Sequence, residues 1–294
     1  MNFLPKGVDP QELLNHIREI SWKVSDSLNS FSHDIESSSG FTNLEIKELK
    51  SGPVTNADLE ANKIIISGIK SKYPNQNWLF LSEENVKEYK KEYFDSKEWV
   101  WIIDPLDGTR DFINKTGEYA VHISLAFKKK NILGVVIIPS REELWVSLEN
   151  VGSWCELRNL KKISFNDKNN RKINELRVAI SKTHSPKVLK NIIEKLNPLK
   201  IIGMGSIGYK ITSIIKDEVD LYISYSERGK SSPKDWDIAA PEAIIRGFNG
   251  YFTDLNGNQL KFLDNNEYRQ EGILIASRSN KHQKICNKIK ELME

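Results

Sequence analysis

The segment Trp99-Val-Trp-Ile-Ile-Asp-Pro-Leu-Asp-Gly-Thr-Arg-Asp-Phe-Ile113 runs an apolar stretch straight into a turn that carries two acids. Asp104 closes the stretch, Pro105 fixes φ, and Gly108 permits a sharp bend, so the carboxylates of Asp104 and Asp107 can converge. Converging carboxylates repel each other unless a cation lies between them, and oxygen-only ligands favour a hard ion such as Mg²⁺. The N–H groups of Gly108 and Thr109 could then hold a phosphate oxygen. A bare Asp-Pro-x-Asp-Gly is equally the composition of an acidic surface turn, and its surroundings must decide.

Three more segments set acids beside apolar elements. Ser82-Glu83-Glu84 follows the apolar run 78–81 and by itself reads as a solvated turn. In Val54-Thr-Asn-Ala-Asp58 the Thr55 hydroxyl can cap a helix, with Asp58 three positions on completing the box. In Trp236-Asp237-Ile-Ala-Ala240 the acid can cap the helix that it opens. Capping and metal ligation are compatible there, because a helix N-terminus favours a nearby anion.

The elements that must position these residues are legible in outline. Leu13, Ile17, Ile20, Val24 and Leu28 recur at three- and four-residue spacing, which predicts an amphipathic helix over 11–31. A second helix starts near Thr55 and runs to Pro74, with Gly52-Pro53 as punctuation before it. Runs rich in β-branched and aromatic residues predict strands at 78–81, 99–103, 119–127, 133–138 and 144–148. The polar segment 161–174 reads as a connection. Beyond it, strands at 177–180, 200–202, 220–223, 251–253 and 273–276 alternate with helices near 185–196, 207–216, 237–248 and 280–293. Pro241 is expected in the first turn of its helix, and Asn256-Gly257 marks a turn.

The 294 residues suit one large domain or two closely packed ones, and we expect two, 1–160 and 161–294. Lys and Arg total 43 against 40 Asp and Glu, a net +3 too small to imply a nucleic-acid surface, and the basic residues are interleaved with acids. An RNA-binding role is therefore weakly supported, and anion binding must be local. The start has no apolar signal region and no stretch approaches the ~20 apolar residues of a membrane span, so the reading is a cytoplasmic protein with no membrane partner. Cys155 and Cys286 form no CxxC, which favours two reduced thiols over a zinc site or disulfide.

Taken together and in order, Val54-Thr-Asn-Ala-Asp58, Ser82-Glu83-Glu84, Asp104-Pro-Leu-Asp-Gly-Thr109 and Trp236-Asp237-Ile-Ala-Ala240 resemble the motifs of the inositol monophosphatase-like superfamily of lithium-sensitive, Mg²⁺-dependent phosphatases. The resemblance spans nearly the whole chain. It implies an α+β fold, a layered α-β-α-β-α sandwich of the inositol monophosphatase/fructose-1,6-bisphosphatase type, with the active site between its two parts. It also implies that Glu83, Asp104 and the Leu106 carbonyl bind one metal ion, and that Asp104, Asp107 and Asp237 bind a second. Thr109 and Asp58 would polarise the attacking water, with a third, weaker ion as an option. Two cations roughly 3.5–4 Å apart can activate water at one and stabilise the departing alkoxide at the other.

Finer resemblances point to one branch. Arg110-Asp111-Phe112-Ile113, Ser82 before the acidic pair, Ala179-Ile-Ser-Lys-Thr-His184 and Met204-Gly-Ser-Ile-Gly-Tyr-Lys210 are similar to 3'(2'),5'-bisphosphate nucleotidases. That branch implies hydrolysis of 3'-phosphoadenosine 5'-phosphate to AMP and phosphate, in sulfur metabolism. Substrate contacts would come from Asp107, Gly108, Thr109, Ser206, Lys210 and Asp237. A second phosphate needs a cation away from the metals, and Lys210, Lys182, Arg228 and Lys234 are candidates, each of which can equally be a solvated surface charge. His184 can stack on the base or be incidental. The loop 226–236 is longer and more basic than the family pattern. An inositol or sugar-phosphate monophosphatase and a non-catalytic phosphate-binding homologue remain alternatives. The family occurs as monomers and homodimers, and no interface signature chooses between them.

Overall fold

The apolar stripe of the first helix is buried along its length: Leu13, Ile17, Ile20, Val24 and Leu28 all face the interior. The structure, a computed structural model, describes residues 4–36, 44–49, 52–86, 94, 96–165, 171–183, 185–265 and 267–293. That helix, α1 (Pro10–Glu36), packs against α2 (Asn56–Lys72). α2 opens on the expected capping box, in which Thr55 accepts from the helix and Asp58 Oδ2 accepts the Thr55 N–H at 2.8 Å. Gly52 and Pro53 are not a mere break. They belong to β2 (Gly52–Thr55), which pairs antiparallel with β1 (Ile46–Leu49), with Pro53 opposite Glu48. In a two-stranded ribbon both strands are edges, where a missing N–H is tolerated.

A seven-stranded sheet follows in chain order: β3 (Leu79–Ser82), β4 (Trp99–Asp107), β5 (Ala120–Phe127), β6 (Lys130–Ile138), β7 (Glu143–Leu148), β8 (Gly152–Leu157) and β9 (Lys162–Ile163). β3 and β4 are parallel and the other neighbours antiparallel. β8 and β9 were not anticipated, so the expected connection at 161–174 begins inside this sheet; residues 166–170 lie outside the described residues. The second sheet has the order β11-β10-β12-β14-β13, built from β10 (Arg177–Ser181), β11 (Lys200–Met204), β12 (Leu221–Ser226), β13 (Tyr251–Asp254) and β14 (Gly272–Ser277).

The helices fill three layers around these sheets. α1 and α2 cover one face of the first sheet, where Trp101, Ile103, Val121 and Ile123 join their core. Between the sheets run α5 (Ile207–Ile215) and α6 (Asp235–Gly247), packed on Val100, Ile102, Ala120 and Val136 from one side and on Tyr222, Phe252 and Ala276 from the other. α4 (Lys187–Leu196) and α7 (His282–Glu291) close the outer face over Val178, Leu221 and Ile275. A short α3 (Thr109–Ile113) follows β4. The result is the expected α-β-α-β-α sandwich. α6 lies tight on the first sheet because β6 offers Gly134, where a Cβ would come within 2.6 Å of Ala243 Cβ.

Pro241 corrects one expectation. α6 begins at Asp235, earlier than expected, so Pro241 sits inside the helix rather than in its first turn. Its missing N–H leaves the Asp237 carbonyl without the usual helical donor. Cys155 and Cys286 are free and buried, and no described helix is long and apolar enough to cross a membrane.

Candidate active site

β4 leaves its ladder between the two acids of the central motif. Asp104 pairs opposite His122 but Asp107 opposite Ala120, so three steps on β4 match two on β5. In an unbroken strand, residues three apart face opposite sides; the extra residue at Pro105-Leu106 resets that phase and turns both acids the same way. Gly108 then takes a left-handed conformation at φ +87°, and the chain enters α3 at Thr109. The bend predicted from the glycine is where the chain turns.

Each acid is held by a backbone group. Asp104 Oδ1 accepts the Leu106 N–H at 3.0 Å. Asp107 Oδ2 accepts the Ile207 N–H at 2.5 Å, at the start of α5, and Asp237 Oδ2 accepts the Lys234 N–H at 2.5 Å, at the start of α6. Two helix N-termini thus face the same acids. Ser206 caps α5, its Oγ accepting from the Tyr209 N–H at 3.1 Å, and stands against Gly108, whose added Cβ would lie 3.3 Å from Ser206 Cβ. Thr109 Oγ1 lies 3.1 Å from Asp58 Oδ1 and 3.2 Å from the Leu106 carbonyl. Glu83, at the end of β3, donates its N–H to the Ile103 carbonyl beside Asp104.

The electrostatics register how close these groups are. Burial raises Asp104 well above the carboxylate range, and Glu83, Asp107 and Asp237 raise it further. Glu83 is raised by burial and then by Asp237, Glu84, Asp58 and Asp107. Asp237 is pushed up to about 7 by burial and Asp107, and burial also raises Asp58. Asp104 Oδ2 has no donor; the Asp237 carboxylate within hydrogen-bond reach is another acceptor, so only a shared proton or a cation can join them. One ligand atom from each of Asp104, Asp107 and His122 lies within 4.8 Å of the others. The donor set fits a divalent cation.

The four acids, Asp58, Thr109, Gly108 and Ser206 are therefore brought together. The basic candidates fare differently. Lys210 is neither free nor a solvated surface charge: it is 2% exposed, its ammonium donates to the Gly205 carbonyl and lies 5.2 Å over the Tyr222 ring. Burial lowers its pKa to about 8, against the pull of Asp107, Asp111, Glu118 and Asp237. Lys182 pairs with Glu118 at 2.8 Å and Asp111 at 3.4 Å. Lys234 Nζ donates to the Glu267 carbonyl at 2.8 Å. Arg228 and Arg110 are exposed, and His184 lies outside the described residues.

His122 escaped the sequence reading. The alternation along β5 held the signal, because Ala120 and Ala126 point between the sheets and a histidine two residues from Ala120 must point there too. Burial lowers its pKa below the usual histidine value, while Asp107 opposes the shift.

The sequence model of the inositol monophosphatase family matches residues 9–294. The chain belongs to this family. Among curated proteins of the family, it is 29% identical over 268 residues to the 3'(2'),5'-bisphosphate nucleotidase CysQ of Haemophilus influenzae, covering 89% of this chain and 93% of that protein. It is 31% identical over 215 residues to the protein of the same name from Buchnera aphidicola, covering 71% and 74%. The fold matches the extragenic suppressor protein suhB of Bartonella henselae with a TM-score of 0.74 at 21% identity, over 96% of this chain and 98% of that one. The family is one of metal-dependent phosphatases, and the acidic cluster described above lies on the residues whose motifs carried the resemblance.

Proposed function

We propose that the protein is a Mg²⁺-dependent 3'(2'),5'-bisphosphate nucleotidase that releases phosphate from 3'-phosphoadenosine 5'-phosphate. What carries the reading is the convergence of Glu83, Asp104, Asp107 and Asp237, with the pKa values of Glu83, Asp104 and Asp237 raised and an Asp104 oxygen that has no donor, beside a Thr109–Asp58 pair. On this reading Glu83, Asp104 and the Leu106 carbonyl would hold one Mg²⁺, and Asp104, Asp107 and Asp237 a second, with a weaker third ion as an option. Bound there, divalent ions would supply an acidified water and neutralise the charge on the phosphoryl and leaving oxygens.

The chain's own groups do the rest. Thr109 passes a proton from the attacking water toward Asp58, whose Oδ2 is fixed by the Thr55 N–H and hydroxyl at 2.8 and 2.6 Å. The N–H groups of Gly108 and Thr109, which open α3, hold the phosphate oxygens. Lys210 props the Met204–Ser206 loop through its carbonyls and lends it positive charge, the feature that favours a substrate with two phosphates.

The substrate is tested by measuring phosphate release from 3'-phosphoadenosine 5'-phosphate, inositol 1-phosphate and fructose 1,6-bisphosphate with Mg²⁺ present. The reading expects the highest kcat/KM for the adenosine bisphosphate. A preference for inositol phosphate overturns the substrate and keeps the phosphatase.

A further inference from the structure

Glu83 and Asp58 reach the site from different elements, the turn after β3 and the first turn of α2. Ser82, directly before Glu83, is fully buried, and its hydroxyl donates to Asn62 Oδ1 at 2.7 Å. The same hydroxyl accepts the Glu84 N–H at 3.4 Å. Asn62 lies four residues after Asp58, one turn along the same face of α2. A side-chain bond therefore runs from the neighbour of one acid to the helical turn that follows the other.

The turn after β3 does not need that bond for its own shape. Asn85 Oδ1 accepts the Ser82 N–H at 2.8 Å, Asn85 Nδ2 donates to the Phe80 carbonyl at 3.2 Å, and the Asn85 N–H donates to the Ser82 carbonyl at 3.1 Å, which closes the turn. The sheet holds its base, where the Glu83 N–H donates to the Ile103 carbonyl at 3.3 Å. What the Ser82 hydroxyl adds is a fixed distance to α2. That distance needs fixing, because carboxylates of like charge repel each other.

We propose that Ser82 and Asn62 are a positioning pair for the reaction: their bond holds Glu83, and the ion it would bind, in register with Asp58, the acceptor of the proton from the attacking water. The inference rests on the function proposed above and adds how two of its groups, on separate elements, are kept within reach of one water. A bond that served only the fold would change stability and leave the response to Mg²⁺ as it is.

The test follows phosphate release, on whichever of the three substrates above the wild type turns over best, against Mg²⁺ concentration for wild type, Ser82→Ala, Asn62→Leu and the double variant. Each single variant should lower kcat by about tenfold or more, raise the half-activating Mg²⁺ concentration about tenfold and leave KM within about threefold. The double variant should lie within about threefold of the less active single one, since both changes remove one bond. The half-activating concentration does not depend on how much of a variant folds, so it separates position from stability. Single variants with the wild-type kcat and Mg²⁺ response overturn the proposal and leave the metal reading standing, as do losses that multiply in the double variant. Wild-type turnover that needs no divalent ion sinks the metal reading and the role of this pair together.

Discussion

Thr109 Oγ1 lies 3.1 Å from Asp58 Oδ1, which ties the first residue of α3 to the capped start of α2. Thr55 fixes the other oxygen of Asp58 from behind, so a single acceptor is presented to the threonine. Thr109→Ala and Asp58→Asn should each lower kcat by about 10²–10⁴ with much smaller changes in KM. Thr109→Ser keeps the hydroxyl and should stay within about tenfold of wild type. Steady-state kinetics on the three variants check this; an alanine variant with wild-type kcat removes the proton path.

The carboxylate cluster makes the stability of the metal-free protein depend on pH in an unusual direction. Asp237 is raised to about 7, and Glu83 and Asp104 are raised as well, so the folded state holds protons more tightly than the unfolded chain. The stability contributed by Asp237 is complete below its ordinary value of 3.8 and is lost as pH rises through about 7. Chelator-treated protein should therefore melt at a higher temperature near about pH 6 than near about pH 8. Saturating Mg²⁺ should weaken or reverse the trend, since protons and cations compete for the same oxygens. A metal-free melting temperature that falls on acidification across this window would speak against the raised values.

Lys210→Met tests whether the buried ammonium serves the substrate or only the loop. It should raise KM for the adenosine bisphosphate by about tenfold and leave inositol 1-phosphate within about threefold. Equal losses on both substrates would assign Lys210 to support of the Met204 and Gly205 carbonyls alone.

The layering of the sandwich depends on close contact at Gly134. An alanine Cβ would meet Ala243 Cβ at 2.6 Å and the Ala240 carbonyl at 2.8 Å. Gly134→Ala should cost about 1–3 kcal/mol by overpacking, read as a lower denaturation midpoint. Because α6 carries Asp237, it should also reduce kcat. A variant as stable as wild type would mean that α6 can move off the sheet without strain.

Much of this architecture was legible in the residues because the relevant signals are local. The Thr55–Asp58 capping box, the Gly108 bend and the three- and four-residue stripe of α1 each depend on neighbours a few positions away. The hairpin of β1 and β2 was hidden because proline reads as a breaker, and only pairing shows that an edge tolerates it. The burial of Lys210 was hidden for the opposite reason. Charged side chains are usually solvated, and nothing local reveals that the Gly205 carbonyl and the Tyr222 ring receive this one. His122 became visible once register placed it across from Asp104, a relation between strands that no single segment contains.

The most direct test of the central claim is phosphate release from 3'-phosphoadenosine 5'-phosphate as Mg²⁺ is restored to chelator-treated wild type and Asp104→Asn. Because Asp104 stands at the centre of the cluster, raised by burial and then by Glu83, Asp107 and Asp237, activity should return with Mg²⁺ in the wild type and stay at least about 10³-fold lower in the variant at every concentration. Near-normal turnover by Asp104→Asn at saturating Mg²⁺, or wild-type turnover with no divalent ion present, would contradict the account.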